Sequence, residues 1–150
     1  MFSGEQSITL DAKGRIAIPT RYREEIDAAC DQQLMLTYSP FESGCLWLYP
    51  DLEWARVRDE VLALSSMNPG HRGLKRRLVG SAVPVEPDAH GRLQLPQTQR
   101  QFAGLEKNAV FMGIGPRFEI WNEQALQQQR AEEERLIREQ QSPEMAELRL

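Results

Sequence analysis

The sequence predicts an α+β fold, mostly β, made of two tandem units with the same layout. Three observations predict it: a segment that recurs 77 residues further along the chain, apolar residues at alternate positions after a recurring turn, and short helical patterns between the strands. A unit of roughly 50 residues is too small to bury a stable core by itself. We therefore expect the two units to pack against each other.

The recurring segment runs from Asp11 to Arg23 and again from Asp88 to Arg100. Six of its 13 positions are identical, whereas average residue usage gives about one match by chance. Two later pairs of segments also correspond, 34–36 with 110–112 and 48–51 with 120–123. The spacing falls to 72 in the last pair, which indicates extra residues in the first unit, mostly in the loop 38–44.

Each unit begins with a strand that enters an Asp-Ala-Xaa-Gly turn, in which Gly14 or Gly91 can adopt a positive φ. In the strand that follows, apolar residues alternate with polar ones, so the apolar ones are expected in the core. A proline ends this strand because it cannot donate to the ladder. The predicted strands are 7–10, 15–18, 34–37 and 45–49 in the first unit and 83–86, 92–95, 109–113 and 118–121 in the second, with helices over 20–29 and 97–103.

Three helices are predicted outside the units. The first follows Pro50, with Asp51 as its N-cap and apolar residues at 54, 57, 61 and 64. The second covers 71–78, and the third runs from Glu123 to about 141 with Asn122 as its cap. The expected organisation is a first repeat over 5–50, a helical linker over 51–80, a second repeat over 81–124 and a polar C-terminal helix and tail over 125–150. Trp47, Trp54, Trp121 and Tyr49 are expected in the core or at a subunit interface.

Several function classes lack their signatures. The chain has no apolar run long enough to span a membrane and no cationic, apolar leader. Its two cysteines are too few for a disulfide framework, which favours a cytoplasmic protein with reduced thiols. No P-loop, nucleophile elbow, zinc spacing or dinucleotide fingerprint is present, so we expect neither an enzyme nor a cofactor or metal site.

The net charge of −4 argues against a wholesale nucleic-acid coat. Residues 131–147 hold six glutamates against two arginines, which equals that net charge, so the remainder of the chain is balanced. A local basic surface is therefore compatible with the acidic total.

A cluster of four cations accompanies the first turn: Lys13, Arg15, Arg21 and Arg23. At a projecting turn, Lys13 and Arg15 could contact phosphates or base edges. An ion pair between Asp11 and Arg15 that only pins the turn is an equally weighted alternative, and the two roles are compatible. The second turn carries fewer cations, with His90 in the place of Lys13, so the first turn is expected to dominate any DNA contact.

A second basic set, Arg72, Lys75 and Arg76, would share one helix face. It offers possible secondary contacts with DNA. A solvated face, or pairing with Asp59 and Glu60, is the more frequent role of such a set.

The residues Met1 to Glu5, the segment Leu10 to Pro19 and its counterpart Asp88 to Pro96, and the basic stretch 75–78 together resemble the MraZ family over nearly the whole chain. The resemblance implies two tandem swapped-hairpin units of the AbrB type that form a double-split β-barrel. It also implies a bacterial transcriptional regulator, a repressor of its own gene, located in the cytoplasm and nucleoid.

By the same resemblance, a ring of eight or more copies would bind short repeated elements of double-stranded DNA upstream of cell-division and cell-wall genes. Asp11 with Arg15 and Asp88 with Arg92 match the paired motif of the family. The DNA-binding residues implied are Lys13, Gly14, Arg15, His90 and Arg92, with Asp11 and Asp88 as positioning residues and Arg21, Arg23, Arg72, Lys75 and Arg76 as possible secondary contacts. The alternative is an AbrB-fold, antitoxin-like scaffold that binds a protein partner.

Overall fold

The structure, a computed structural model, describes residues 1–150. Eight strands and six helices alternate along the chain. The strands are β1 (Phe2–Thr9), β2 (Arg15–Ala17), β3 (Leu34–Tyr38), β4 (Cys45–Pro50), β5 (Val83–Val85), β6 (Arg92–Gln94), β7 (Asn108–Gly115) and β8 (Arg117–Asn122). The helices are α1 (Thr20–Cys30), α2 (Asp51–Leu62), α3 (Pro69–Leu74, continued by a π-helical turn over Lys75–Val79), α4 (Gln97–Ala103), α5 (Glu123–Glu139) and α6 (Pro143–Ala146).

The two repeats exchange their first strands. β1 of the first repeat pairs with β7 of the second, and β5 of the second pairs with β3 of the first. β4 and β8 join the halves into one antiparallel sheet with the order β1-β7-β8-β4-β3-β5, while β2 and β6 form a separate two-stranded ribbon. The α+β class and the pair of swapped-hairpin units are thus confirmed, and neither repeat could complete its sheet without the other.

The main core lies between the ribbon and one face of the large sheet. The alternating residues Ile16 and Ile18, with Leu93 and Leu95, are at most 1% exposed, as the period of two predicts. Tyr22 of α1 adds an aromatic contact: its ring lies 5.0 Å from that of Phe118 and 5.6 Å from that of Phe111. Burial of these side chains holds the ribbon against the sheet and so sets the position of both turns.

A second core covers the other face of the large sheet. β4 is buried along its whole length, because Leu46 and Leu48 point into the main core while Cys45, Trp47 and Tyr49 enter the second one. Trp54 of α2, Leu78 and Leu126 of α5 complete this layer. The expected packing role of the tryptophans is confirmed. None of the helices combines the length and the hydropathy of a membrane span.

Several strand predictions are corrected by the pairing. β1 begins at Phe2 rather than at residue 7, because every residue from Phe2 to Thr9 has a partner in β7. Leu34 corresponds to Ala109 and not to Val110: Leu34 pairs with Val85 of the exchanged strand, just as Ala109 pairs with Ile8. The first alignment was one residue out of register because both segments are apolar throughout.

The helix boundaries also differ. Asp51 is the first helical residue and makes no cap, since Pro50 precedes the helix without a side-chain hydrogen bond and the N–H of Asp51 donates to the O of Gln33. The second linker helix starts at Pro69, where Asn68 accepts from the N–H groups of Gly70 and His71. The cap at Asn122 is confirmed, since its Oδ1 accepts from the N–H of Ala125 at 3.0 Å.

Candidate nucleic-acid interface

The first turn is organised by one carboxylate. Asp11 Oδ1 accepts from the N–H groups of Lys13 and Arg15, both at 2.9 Å, and Oδ2 accepts from Arg15 Nε at 2.7 Å. Gly14 has a φ of +76°, which only glycine adopts without strain. The ion pair foreseen as an alternative role of Asp11 and Arg15 is therefore present. It engages only Nε, and no hydrogen bond within the chain involves the two Nη groups of Arg15 or the Nζ of Lys13.

The second turn repeats this geometry. Asp88 Oδ1 accepts from the N–H groups of His90 and Arg92, and Oδ2 accepts from Arg92 Nε, all at 2.9 Å. Gly91 has a φ of +73°. The Nη groups of Arg92 and the ring nitrogens of His90 make no hydrogen bond within the chain. The exchange of Lys13 for His90 thus changes the charge of the turn without changing its conformation.

Hydrogen bonds to the two carboxylates stabilise their charged forms. The N–H of Arg15, its Nε and the N–H of Lys13 lower the pKa of Asp11. In the second turn the N–H of Arg92, together with the N–H of His90 and Arg92 Nε, lowers the pKa of Asp88 to about 2. Both carboxylates are therefore ionised at neutral pH and hold each arginine through Nε, which leaves the guanidinium edge directed away from the turn.

The ribbon carries both arginines on its outer face. Arg15 pairs with Gln94, Ile16 with Leu93, and Ala17 with Arg92. Since side chains alternate along a strand and the central pair is fully buried, Arg15 and Arg92 lie on the solvent side together with Ala17 and Gln94. The two turns lie at opposite ends of this ribbon, with Gly14 and Gly91 roughly 13 Å apart along the strand direction.

Backbone contacts connect each turn to the strand end of the other repeat. The N–H of Ile18 donates to the O of Gly91 at 2.9 Å, and the N–H of Leu95 donates to the O of Gly14 at 3.1 Å. Gln94 Nε2 also donates to the O of Lys13 at 2.8 Å. The structure thus brings all the predicted motif residues of both repeats into one continuous surface.

Arg21 and Arg23 follow the first turn on α1. Arg21 Nη2 donates to the O of Ser3 at 2.6 Å and also contacts the hydroxyl of Tyr22, so this side chain is tied to β1. Arg23 Nε donates to the O of Ile18 at 2.9 Å. Arg100 makes the equivalent bond to the O of Leu95 at 3.0 Å. The prediction of site residues did not include Arg100, although its identity with Arg23 in the repeat was a signal for it.

The second basic set serves mainly to close the linker. Lys75 Nζ donates to the O of Leu64 at 2.6 Å, and Arg72 Nη1 donates to the O of Ser66 at 2.8 Å. Both cations thus bind carbonyls just after the C-terminus of α2, where positive charge is favourable. Neither pairs with Asp59 or Glu60. Arg76 alone is exposed and without a partner in the chain.

Comparison with known proteins places these features in a family. The sequence model described as "MraZ protein, putative antitoxin-like" matches the chain twice, over residues 1–77 and 78–148. The chain belongs to the MraZ family. It is 50% identical over 125 residues to proteins of Xanthomonas oryzae pv. oryzae and Stenotrophomonas maltophilia, which cover 83% of this chain and 84% of those proteins.

A protein of Shewanella denitrificans is 44% identical over 140 residues, 93% of this chain and 91% of that protein. All three relatives are named transcriptional regulator MraZ. The solution structure of PHS018 from Pyrococcus horikoshii aligns with a TM-score of 0.33 and 13% identity over 81% of this chain and 89% of that one, too low to support an argument. The chain is therefore a member of a family of transcriptional regulators, and its two family units coincide with the two motif-bearing turns.

Proposed function

We propose that this MraZ-family chain is a transcriptional regulator that binds double-stranded DNA sequence-specifically through the β2–β6 ribbon and its two turns. It acts in the nucleoid as a ring-like homo-oligomer of eight or more copies. Its targets are short repeated elements upstream of cell-division and cell-wall genes, including its own promoter, which it represses.

One observation carries the proposal: two arginines lie on the outer face of a two-stranded ribbon with their Nη groups free of partners in the chain. A ribbon of this kind fits into the major groove of B-DNA, where an arginine can donate two hydrogen bonds to the edge of guanine. Asp11 and Asp88 keep the side chains of Arg15 and Arg92 oriented before DNA arrives. Preorganisation of this kind reduces the entropy lost on binding.

The charge distribution also supports a local DNA contact. Lys13 and Arg15 stand at the first turn, whereas the glutamates of the C-terminal segment belong to α5 and the residues after it. A single ribbon neutralises few phosphates, so one chain should bind weakly. Several ribbons on one oligomer, matched to evenly spaced elements, would raise the apparent affinity through effective concentration.

The test measures binding to a duplex that carries the evenly spaced short repeats upstream of the gene. Lys13→Ala with Arg15→Ala is compared with His90→Ala with Arg92→Ala. The control is Arg58→Ala, which removes an exposed cation whose Nε contacts Asp59 on α2. We expect the control to bind normally and the first-turn variant to lose more affinity than the second-turn variant. Loss of phosphate contacts should also flatten the salt dependence by about 0.9 logarithmic units per contact.

Light scattering on the same samples reports whether each variant keeps its oligomeric state. A promoter fusion then reports repression in cells. Equal losses from the two turns would refute the dominance of the first turn. An intact oligomer that binds no duplex even at low salt would refute DNA binding, and would favour the antitoxin-like scaffold that holds a protein partner.

A further inference from the structure

Each turn glycine is covered by an arginine from the opposite repeat. A Cβ placed on Gly14 would lie 2.5 Å from Cζ of Arg100 and 2.7 Å from its Nε and Nη1. A Cβ placed on Gly91 would lie 2.5 Å from Nε of Arg23 and 2.6 Å from its Cζ. The guanidinium groups therefore lie flat against the turn backbone in the space that any larger residue would occupy. Glycine is required at these two positions for this contact as well as for its φ.

The same arginines anchor the strand ends that hold the turns. Arg100 binds the carbonyl of Leu95, whose own N–H binds the carbonyl of Gly14. Arg23 binds the carbonyl of Ile18, whose N–H binds the carbonyl of Gly91. Each turn is thus held twice from the opposite repeat, once through a backbone hydrogen bond and once through the guanidinium.

We propose that Arg23 and Arg100 are positioning residues for the turn of the opposite repeat: Arg100 sets the Asp11–Arg15 turn and Arg23 sets the Asp88–Arg92 turn. The proposal rests on the proposed function only for its effect on DNA. The recognition unit is then the crossed pair of repeats. The arginine of the less basic segment supports the more basic turn, so loss of Arg100 impairs the first turn and not the second.

Arginine suits this position better than lysine. The planar guanidinium can lie over the glycine while Nε donates sideways to a carbonyl, whereas an ammonium is a compact point charge without a flat face. A lysine at 100 would keep the charge and lose the cover on Gly14. Arg100→Lys therefore separates positioning from a direct phosphate contact, for which lysine would retain much of the effect.

The first test is hydrogen exchange measured by mass spectrometry on the oligomer without DNA. Arg100→Ala should accelerate exchange at the amides of Lys13 and Gly14, which bind Asp11, by about fivefold or more. The amides of the Asp88–Arg92 turn should stay unchanged. Arg23→Ala should give the mirror result, and Arg58→Ala should change neither turn.

Unchanged exchange in β7 and β8 shows that each variant is folded. Exchange that rises in the turn of the same repeat, or in neither turn, would overturn the proposal. This result is independent of DNA, so it separates failure of the positioning role from failure of the proposed function.

The second test is a double-mutant cycle on DNA binding. If Arg100 acts through the first turn, Arg100→Ala adds little loss in an Arg15→Ala background and its full loss in an Arg92→Ala background. Arg23→Ala should show the opposite dependence. Arg100→Lys should behave like Arg100→Ala. Coupling of Arg100 to Arg92, equal additivity in both backgrounds, or full rescue by lysine would contradict the crossed arrangement.

Discussion

Replacing Gly14 by alanine tests whether the guanidinium of Arg100 occupies the space over the first turn. The variant introduces two separable costs: a Cβ at a φ of +76°, and a steric conflict with Arg100. Gly115 provides the matched control. It also has a positive φ, +64°, but a Cβ there would meet no atom within 4 Å. The difference between the two alanine variants therefore isolates the contact with Arg100.

The magnitude follows from these two costs. A left-handed conformation costs an L-residue about 1–2 kcal/mol, and the lower entropy of the unfolded chain offsets about 0.4–1 kcal/mol of it. We expect Gly115→Ala to lower the free energy of unfolding by about 1 kcal/mol. Gly14→Ala must also displace the guanidinium and break its bond to Leu95, which adds about 0.5–1.5 kcal/mol. Its total should be about 2 kcal/mol.

The assay is denaturant unfolding at one fixed protomer concentration, since the stability of an oligomer depends on concentration. A third comparison places Gly14→Ala in an Arg100→Ala background. There the steric conflict is absent, so the cost of the alanine should fall to that of Gly115→Ala. Equal costs for Gly14→Ala and Gly115→Ala in the native background would refute the contact, as would an unchanged cost once Arg100 is removed.

Two further predictions concern the carboxylate and the core of the ribbon. Because hydrogen bonds lower the pKa of Asp88 from 3.8 to about 2, the stabilisation of its turn is complete above pH 3.8 and is lost as the pH falls through about 2; the Nε–H resonance of Arg92 should titrate near pH 2, and a midpoint at 3.8 or above would contradict the bonding. Leu93→Ala, at a fully buried position opposite Ile16 in the ribbon, should lower the free energy of unfolding by about 2–5 kcal/mol, whereas Leu52→Ala at a position 76% exposed should change it by about 0.5 kcal/mol or less; similar effects would place Leu93 outside the core.

The two turns were predictable from the sequence because their chemistry is local. Asp11 binds groups two and four residues further along the chain, and Asp88 does the same in the second repeat. The alternation of apolar residues in β2 and β6 likewise indicated the buried side of the ribbon. The cap at Asn122 followed from one side chain and the N–H three residues later.

The pairing of strands depends on contacts that a local pattern cannot specify. Whether β1 pairs within its own repeat or with β7 is decided by which arrangement closes the sheet around the common core. The one-residue shift between Leu34 and Val110 has the same origin, since two apolar runs align equally well in either register. The role of Arg72 and Lys75 also depends on a distant loop, because their acceptors follow α2.

Local patterning therefore established the repeat, the turns with their paired Asp and Arg, and the side of each ribbon strand that is buried. The tertiary structure decided that the first strands are exchanged, that both arginines lie on one outer face, and that Arg23 and Arg100 cover glycines of the opposite repeat. The physical reason is range: hydrogen bonds and alternation within a few residues are encoded by neighbours along the chain. Contacts between segments some 70 residues apart form only when burial of the shared core brings the two repeats together.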